Sequence, residues 1–82
     1  MGFYVYMLKS LGENSVTYVG YTSNLKKRIG LHNNGKGAKF TRGRKWKLIF
    51  KEKYNSKNEA ISREYYIKKN RKIRNQIKKK YK

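Results

Sequence analysis

The chain contains no cysteine, no proline and no aspartate, and its only imidazole belongs to His32. Without cysteine there is no disulfide framework, no thiolate zinc site and no thiol nucleophile, and one histidine is too little to anchor zinc. That composition fits a reducing, cytoplasmic setting. Long apolar runs are also missing: nothing approaches the roughly 20 apolar residues that span a bilayer. The opening Met1-Gly2-Phe3-Tyr4-Val5-Tyr6 lacks the charged leader of a signal peptide, and Tyr6 stands where a myristoylation site needs Ser or Thr. No membrane is expected. Acid is the scarcest commodity of all, with only Glu13, Glu52, Glu59 and Glu64 set against 23 Lys and Arg, for a formal charge of +19.

A surface so self-repelling calls for a polyanionic partner, and nucleic acid is the one its composition suits. If chemistry on that polyanion uses a hard cation such as Mg²⁺, at least one carboxylate must hold it, and the candidates are these four. Eighty-two residues leave room for one domain, 1–82, whose small core must draw on eight Tyr, three Phe and Trp46.

Phe3 to Leu8 is apolar or aromatic throughout and reads as a strand buried on both faces. Leu11-Gly12-Glu13-Asn14-Ser15 is turn chemistry, and Val16 to Tyr21 a second strand pairing antiparallel with the first. Thr22-Ser23-Asn24 offers N-caps for a helix reaching about His32, with Leu25 and Ile29 inward and Asn33-Asn34-Gly35 as its stop. A basic loop leads to a third strand, where Trp46, Leu48, Phe50 and Tyr54 alternate with Lys47, Lys51 and Lys53, predicting one covered and one solvated face. Ser56-Lys57-Asn58-Glu59 is a capping box opening a helix to about Lys69. A further helical stretch from about Arg71 carries Ile73, Ile77 and Tyr81, and its basic residues are either a solvated face or a frayed tail. The reading is α+β: a three-stranded antiparallel sheet flanked by helices, in the order β-β-α-β-α-α.

The glutamates then separate. Glu13 sits in a turn and Glu59 in the capping box. Glu52 shares strand parity with Trp46 and Phe50 and reads as a cross-strand partner of a lysine. Glu64 falls in the helical arc of Ala60, Ile61, Tyr65 and Ile67, with Lys68 one turn on. An exposed i,i+4 pair gains only a few tenths of a kcal/mol, on the order of a tenth of what burying an ion costs. Glu64 therefore marks a cleft edge or a metal position.

Tyr4-Val5-Tyr6 and Tyr18-Val19-Gly20 are, taken alone, ordinary strand aromatics. Ten residues after Tyr18 comes Arg28, and four after that His32, neighbours on one face of the first helix. This ensemble resembles the GIY-YIG nuclease superfamily, in particular its small stand-alone members. The two triplets look like the name-giving motifs, Arg28 and His32 match the following Arg-x-x-x-His, and Glu64 looks like the metal-binding glutamate. Gly35-Lys36-Gly37-Ala38-Lys39-Phe40-Thr41 and Arg44-x-Trp46 resemble the connecting loop. The likeness runs from about residue 3 to residue 77. Tyr4 replaces the motif's glycine, Lys45 stands where proline is common, predicting a looser entry to the third strand, and the late amide is either Asn75 or Gln76.

The resemblance implies a monomeric, metal-dependent endonuclease acting on DNA rather than RNA, selective for structure or strandedness, in repair or recombination. Glu64 would hold Mg²⁺ or Mn²⁺, Tyr6 would be the general base, and Arg28 would clamp the phosphate. His32 would accept a hydrogen bond from Tyr6 or Tyr18, Tyr18 would position water or phosphate, and Gly20 would let the backbone come close. The surrounding cations are expected to lower the Tyr6 pKa. Lys9, Lys36, Lys39, Arg42, Arg44, Lys45 and Lys68 would follow the nucleic-acid backbone. The competing readings are a non-catalytic protein that binds RNA or DNA and, more weakly, a C-terminal helix attached to anionic lipid.

Overall fold

The computed structural model describes residues 2–81, and of Tyr81 the backbone alone, so the expected place of that side chain on an apolar helix face lies outside the described residues. The elements are β1 (Phe3–Ser10), β2 (Thr17–Thr22), α1 (Leu25–Asn33), β3 (Trp46–Tyr54), α2 (Lys57–Lys69) and α3 (Arg71–Tyr81). The sheet order is β2-β1-β3, with both pairings antiparallel, so the all-apolar β1 takes the centre. Alternate residues of a strand face opposite sides. On one side Val5 and Met7 pack with Val19 and with Ala60 and Ile67 of α2; on the other Tyr6 and Leu8 pack with Trp46 and with Leu25 and Ile29 of α1.

The third strand departs from the expected pattern. Met7 lies opposite Phe50 and Leu8 opposite Leu48, so Ile49 is an extra residue, a β-bulge. The bulge inverts the alternation part-way along β3. Trp46 and Leu48 join the α1 side, while Phe50 and Tyr54 join the α2 and α3 side. The single covered face predicted for this strand is therefore incorrect, because the sheet carries helices on both sides.

Asn24 caps α1 by accepting the Lys27 amide at 3.1 Å. At the other end of the helix, Asn33 Oδ1 accepts the Trp46 amide at 2.6 Å and its Nδ2 donates to the Trp46 carbonyl at 3.3 Å. The Lys45 carbonyl also accepts the Leu11 amide at 2.9 Å. The looser entry expected from Lys45 in place of proline is not found, since these bonds do the fixing.

The capping box of Ser56 and Glu59 is formed. The inward stripe of α2 differs from the predicted arc: Ala60 and Ile67 are buried and Arg63 and Glu64 half-buried, whereas Ile61 and Tyr65 face solvent. Ile61 and Tyr65 each lie one position past the true i, i+4, i+7 stripe of 60, 64 and 67. Asn70 leaves helical geometry at φ −110° and ψ 90°, and its side chain then accepts the Ile73 amide, ending α2 and starting α3. Arg74 donates to the Ile67 and Lys68 carbonyls at the end of α2. The basic end is thus a solvated helix face, not a frayed tail. Ile73 and Ile77 are half-buried and pack with the core cluster beside Phe50, so these two residues of the face considered for lipid are turned toward the sheet. No helix among the described residues is long and apolar enough to cross a membrane.

Replacing Asn33 with Ala removes both bonds to Trp46 and leaves a part-buried amide unpaired, so stability should fall by about 1–3 kcal/mol. Chemical denaturation checks this, and an unchanged midpoint would show that the side chain does not hold β3.

Candidate active site

Tyr6 on β1 lies directly across from Gly20 on β2. A Cβ at residue 20 would stand 2.6 Å from the Tyr6 hydroxyl oxygen and 2.8 Å from its ring carbon, so glycine is required there by the phenol itself. The closeness expected at Gly20 is real, and the group its backbone lies against is Tyr6. From α1, one turn apart, come Arg28 and His32. His32 is fully buried, with Nε2 2.8 Å from the Tyr6 hydroxyl and Nδ1 2.9 Å from Thr41 Oγ1. The Tyr18 ring lies 4.9 Å from the imidazole and 6.4 Å from the Tyr6 ring, centroid to centroid.

Glu64 arrives from α2, on the opposite face of the sheet, and meets these residues at the edge strand β2. Tyr6, Tyr18, Gly20, Arg28 and Glu64 line one cavity of about 300 Å³. His32 lies behind Tyr6, outside that lining. The structure thus brings together all five predicted site residues, four on the wall and one in support.

Arg28 sits beside the Tyr6 and Tyr18 phenols, and its hydrogen bond to Tyr6 holds its own pKa above the ordinary value. Its buried Nε has no hydrogen-bond partner among the described residues. A guanidinium donor left unpaired at a cavity wall is suited to an incoming anion. Burial pushes the Tyr6 pKa up to about 12, although Arg28 pulls it down. The lowering predicted from the basic surroundings is thus overturned. Most of those cations are exposed and screened by salt over about 8–10 Å, whereas desolvation acts on the phenol itself. Burial, and then the charge of Arg28, lower the pKa of His32, leaving the imidazole neutral at pH 7.

Glu64 has a side chain only 16% exposed and pairs with Lys68 Nζ at 3.2 Å. Glu52 does not pair with a cross-strand lysine. Burial raises its pKa, but bonds from Arg63 at 2.9 Å and from the Tyr54 hydroxyl at 2.7 Å outweigh this and hold it below the usual range. Glu64 is the one carboxylate lining the cavity, and no group of three metal-ligating side chains occurs among the described residues. A single carboxylate fits Mg²⁺, which keeps several waters and takes phosphate oxygens as further ligands.

A second depression shares Tyr18 with the cavity. Its lining includes Tyr18, Phe40 and the side chains of Lys68, Arg71, Arg74, Asn75 and Lys78. Phe40 is 57% exposed and stacks on Tyr18 with centroids 6.1 Å apart. Of the predicted nucleic-acid contacts, Lys68 lies in this groove. Lys36, Lys39, Arg42, Arg44 and Lys45 are exposed on the α1–β3 loop, and Lys9 lines neither depression. Asn75 faces the groove, while Gln76 lines a separate depression with Ile49 and Phe50. Sequence reasoning gave Phe40 and Thr41 no role of their own: a loop threonine carries no signal, and Phe40 showed only as an aromatic among cations.

The sequence pattern of the GIY-YIG catalytic domain matches residues 2–82. The chain belongs to the GIY-YIG family. That family consists of nucleases that act on DNA. Among its GIY-YIG relatives, a UPF0213 protein of Clostridium perfringens is 58% identical over 67 residues, covering 80% of this chain and 70% of that protein. A UPF0213 protein of Staphylococcus haemolyticus is 50% identical over 66 residues, covering 79% and 78%. The solution structure of a UPF0213 protein of Bacillus halodurans superposes with a TM-score of 0.55 at 38% identity, over 93% of this chain and 80% of that one. The α+β architecture predicted from sequence is the one this GIY-YIG relative adopts.

The depressed pKa of His32 sets the direction of a pH effect. Above pH 6.5 both folded and unfolded chains carry neutral imidazole, and the stability is fully present. Below 6.5 the unfolded chain takes the proton first, so stability falls until the lower folded pKa is reached. Melting temperatures between pH 7 and pH 5 should fall more steeply for the unaltered chain than for His32→Gln; equal slopes would contradict a buried neutral imidazole.

Proposed function

We propose that this protein is a divalent-metal-dependent endonuclease that hydrolyses DNA phosphodiester bonds. The supporting observation is the convergence of Tyr6, Tyr18, Arg28 and Glu64 on one cavity, with His32 bonded behind Tyr6. Simple binding of nucleic acid needs no such buried pair. Arg28 would receive the scissile phosphate, its fork matching two oxygens and its free Nε gaining an acceptor. Glu64 would hold Mg²⁺ or Mn²⁺, which supplies charge stabilisation to the phosphoryl and leaving oxygens. Tyr18 would position the water or the phosphate from β2.

With a pKa near 12, Tyr6 does not act as a standing phenolate. Its hydroxyl takes the water's proton as its own proton passes to His32 Nε2, 2.8 Å away. The phenol ends neutral, the imidazole charged and the water deprotonated. His32 is thus the net base, and burial keeps it unprotonated and ready at neutral pH. The water must enter the cavity to meet Tyr6, which is closed to bulk solvent.

The groove beside Tyr18 would carry the flanking strand. Lys68, Arg71, Arg74 and Lys78 suit phosphates of any sequence, and the exposed Phe40 ring offers a face to an unpaired base. Selectivity for structure or strandedness follows from such contacts, and it suits repair or recombination intermediates.

Incubation with branched, flap, single-stranded and plain duplex DNA plus Mg²⁺ or Mn²⁺ should give cleavage that falls about 10²-fold or more in Glu64→Ala and Tyr6→Phe. Tight binding without cleavage of any substrate would favour the non-catalytic reading instead. A separate measurement concerns Lys68, whose ammonium competes for the Glu64 carboxylate. Lys68→Met should bind Mn²⁺ more tightly in calorimetry while binding DNA more weakly, and unchanged Mn²⁺ affinity would show that the pair does not guard the metal position.

A further inference from the structure

Thr41 is fully buried, and the catalytic scheme above leaves it without a role. It has one hydroxyl proton and two partners; the Ala38 carbonyl, at 3.0 Å, can only accept, so both contacts are hydrogen bonds only when the proton goes to Ala38. Toward His32 Nδ1, 2.9 Å away, Thr41 Oγ1 therefore presents only lone pairs. A bond across that distance requires the proton to be on Nδ1. The opposite nitrogen, Nε2, is then bare and accepts from the Tyr6 hydroxyl at 2.8 Å. One direction of donation runs through the chain: Tyr6 to His32, His32 to Thr41, Thr41 to the Ala38 carbonyl.

The surroundings hold this arrangement in place. Trp46 Nε1 donates to the Thr41 carbonyl at 2.9 Å, tying the loop to the start of β3. The backbone of Gly37 lies against the imidazole, and a Cβ there would collide with Nδ1 and Cγ. The ring is boxed in by the loop on its Nδ1 side and by Tyr6 on its Nε2 side.

We propose that Thr41 is a positioning residue that fixes the Nδ1–H tautomer of His32, so that the bare Nε2 faces Tyr6. Its catalytic consequence rests on the nuclease reading above; the tautomer itself does not. With the proton on Nε2 instead, that N–H and the Tyr6 O–H would be two donors facing each other. Tyr6 would turn to accept, and its proton would have no route to the imidazole. Serine, which keeps the hydroxyl, preserves the arrangement. Valine, which keeps the shape and loses the acceptor, removes it.

The test exploits His32 being the only histidine in the chain. Long-range ¹H–¹⁵N spectra of the ¹⁵N-labelled protein above pH 7, without DNA or metal, report directly which ring nitrogen carries the proton. The unaltered chain and Thr41→Ser should show Nδ1–H, and Thr41→Val should move the proton to Nε2. An Nε2–H ring in the unaltered chain, or an Nδ1–H ring retained in Thr41→Val, overturns the proposal. If Thr41→Val does not fold, the spectra of the unaltered chain and Thr41→Ser decide the matter. On a DNA substrate that the unaltered protein cuts, Thr41→Val should lose about tenfold or more in kcat with KM little changed, and Thr41→Ser should recover it. Full kcat with a displaced tautomer overturns the positioning role. If the unaltered protein cuts nothing, the nuclease reading fails while the tautomer assignment is still judged by the spectra alone.

Discussion

The buried hydrogen bond between Tyr6 and His32 is the constraint on which the rest of the structure depends. Tyr6 lies on the central strand with no surface open to bulk solvent, so its hydroxyl must be paired inside the protein. The partner comes from α1, which fixes how that helix sits on the sheet. The partner's other nitrogen needs a bond too, and this draws the α1–β3 loop over the ring through Thr41. Gly20 is small because the phenol occupies the space of a side chain, and Gly37 is small because the imidazole does. One polar pair in a core about three layers thick thus dictates residues on β1, β2, α1 and the loop.

Charge acts differently near and far from that pair. The chain carries +19, yet the buried phenol is harder to ionise than a free one. Desolvation is local and unscreened, whereas the surface lysines act through water and salt. Arg28 is the exception, being close to both phenols, and its pull is still smaller than the effect of burial. The basic excess therefore bears on what the surface attracts and not on the ionisation of Tyr6. The same burial that hinders Tyr6 keeps His32 neutral, so the two shifts suit a shared proton in which the imidazole is the final holder.

Much of this was legible in the sequence because it is local. The strand triplets, a cap within Thr22-Ser23-Asn24 and the Ser56–Glu59 box are short-range devices, and the structure has each, with Asn24 as the cap. Glu64 lies on the inward stripe of α2, as its spacing from Ala60 and Ile67 indicated, even though Ile61 and Tyr65 were wrongly placed beside it. What escaped was non-local. A bulge at Ile49 depends on how β3 meets β1, and nothing in an alternating sequence marks it. The Asn33 bonds to Trp46 and the Arg63 bond to Glu52 join residues more than ten positions apart. Thr41 is the clearest case: its meaning comes entirely from the ring it touches.

The cavity itself spans the two helical layers. Arg28 and His32 come from the helix on one face of the sheet and Glu64 from the helix on the other, and they meet only because β2 is the edge strand. No single layer contains the site, so its geometry exists only when both faces of β1 are packed. Bulges at sheet rims re-aim side chains, and the one at Ile49 lets Trp46 serve the α1 side while Phe50 serves the α2 side. Trp46 in turn anchors Thr41. The packing that stabilises so small a protein and the alignment of the Tyr6–His32–Thr41 hydrogen bonds are therefore the same set of contacts, and a substitution in either core reaches the site through them.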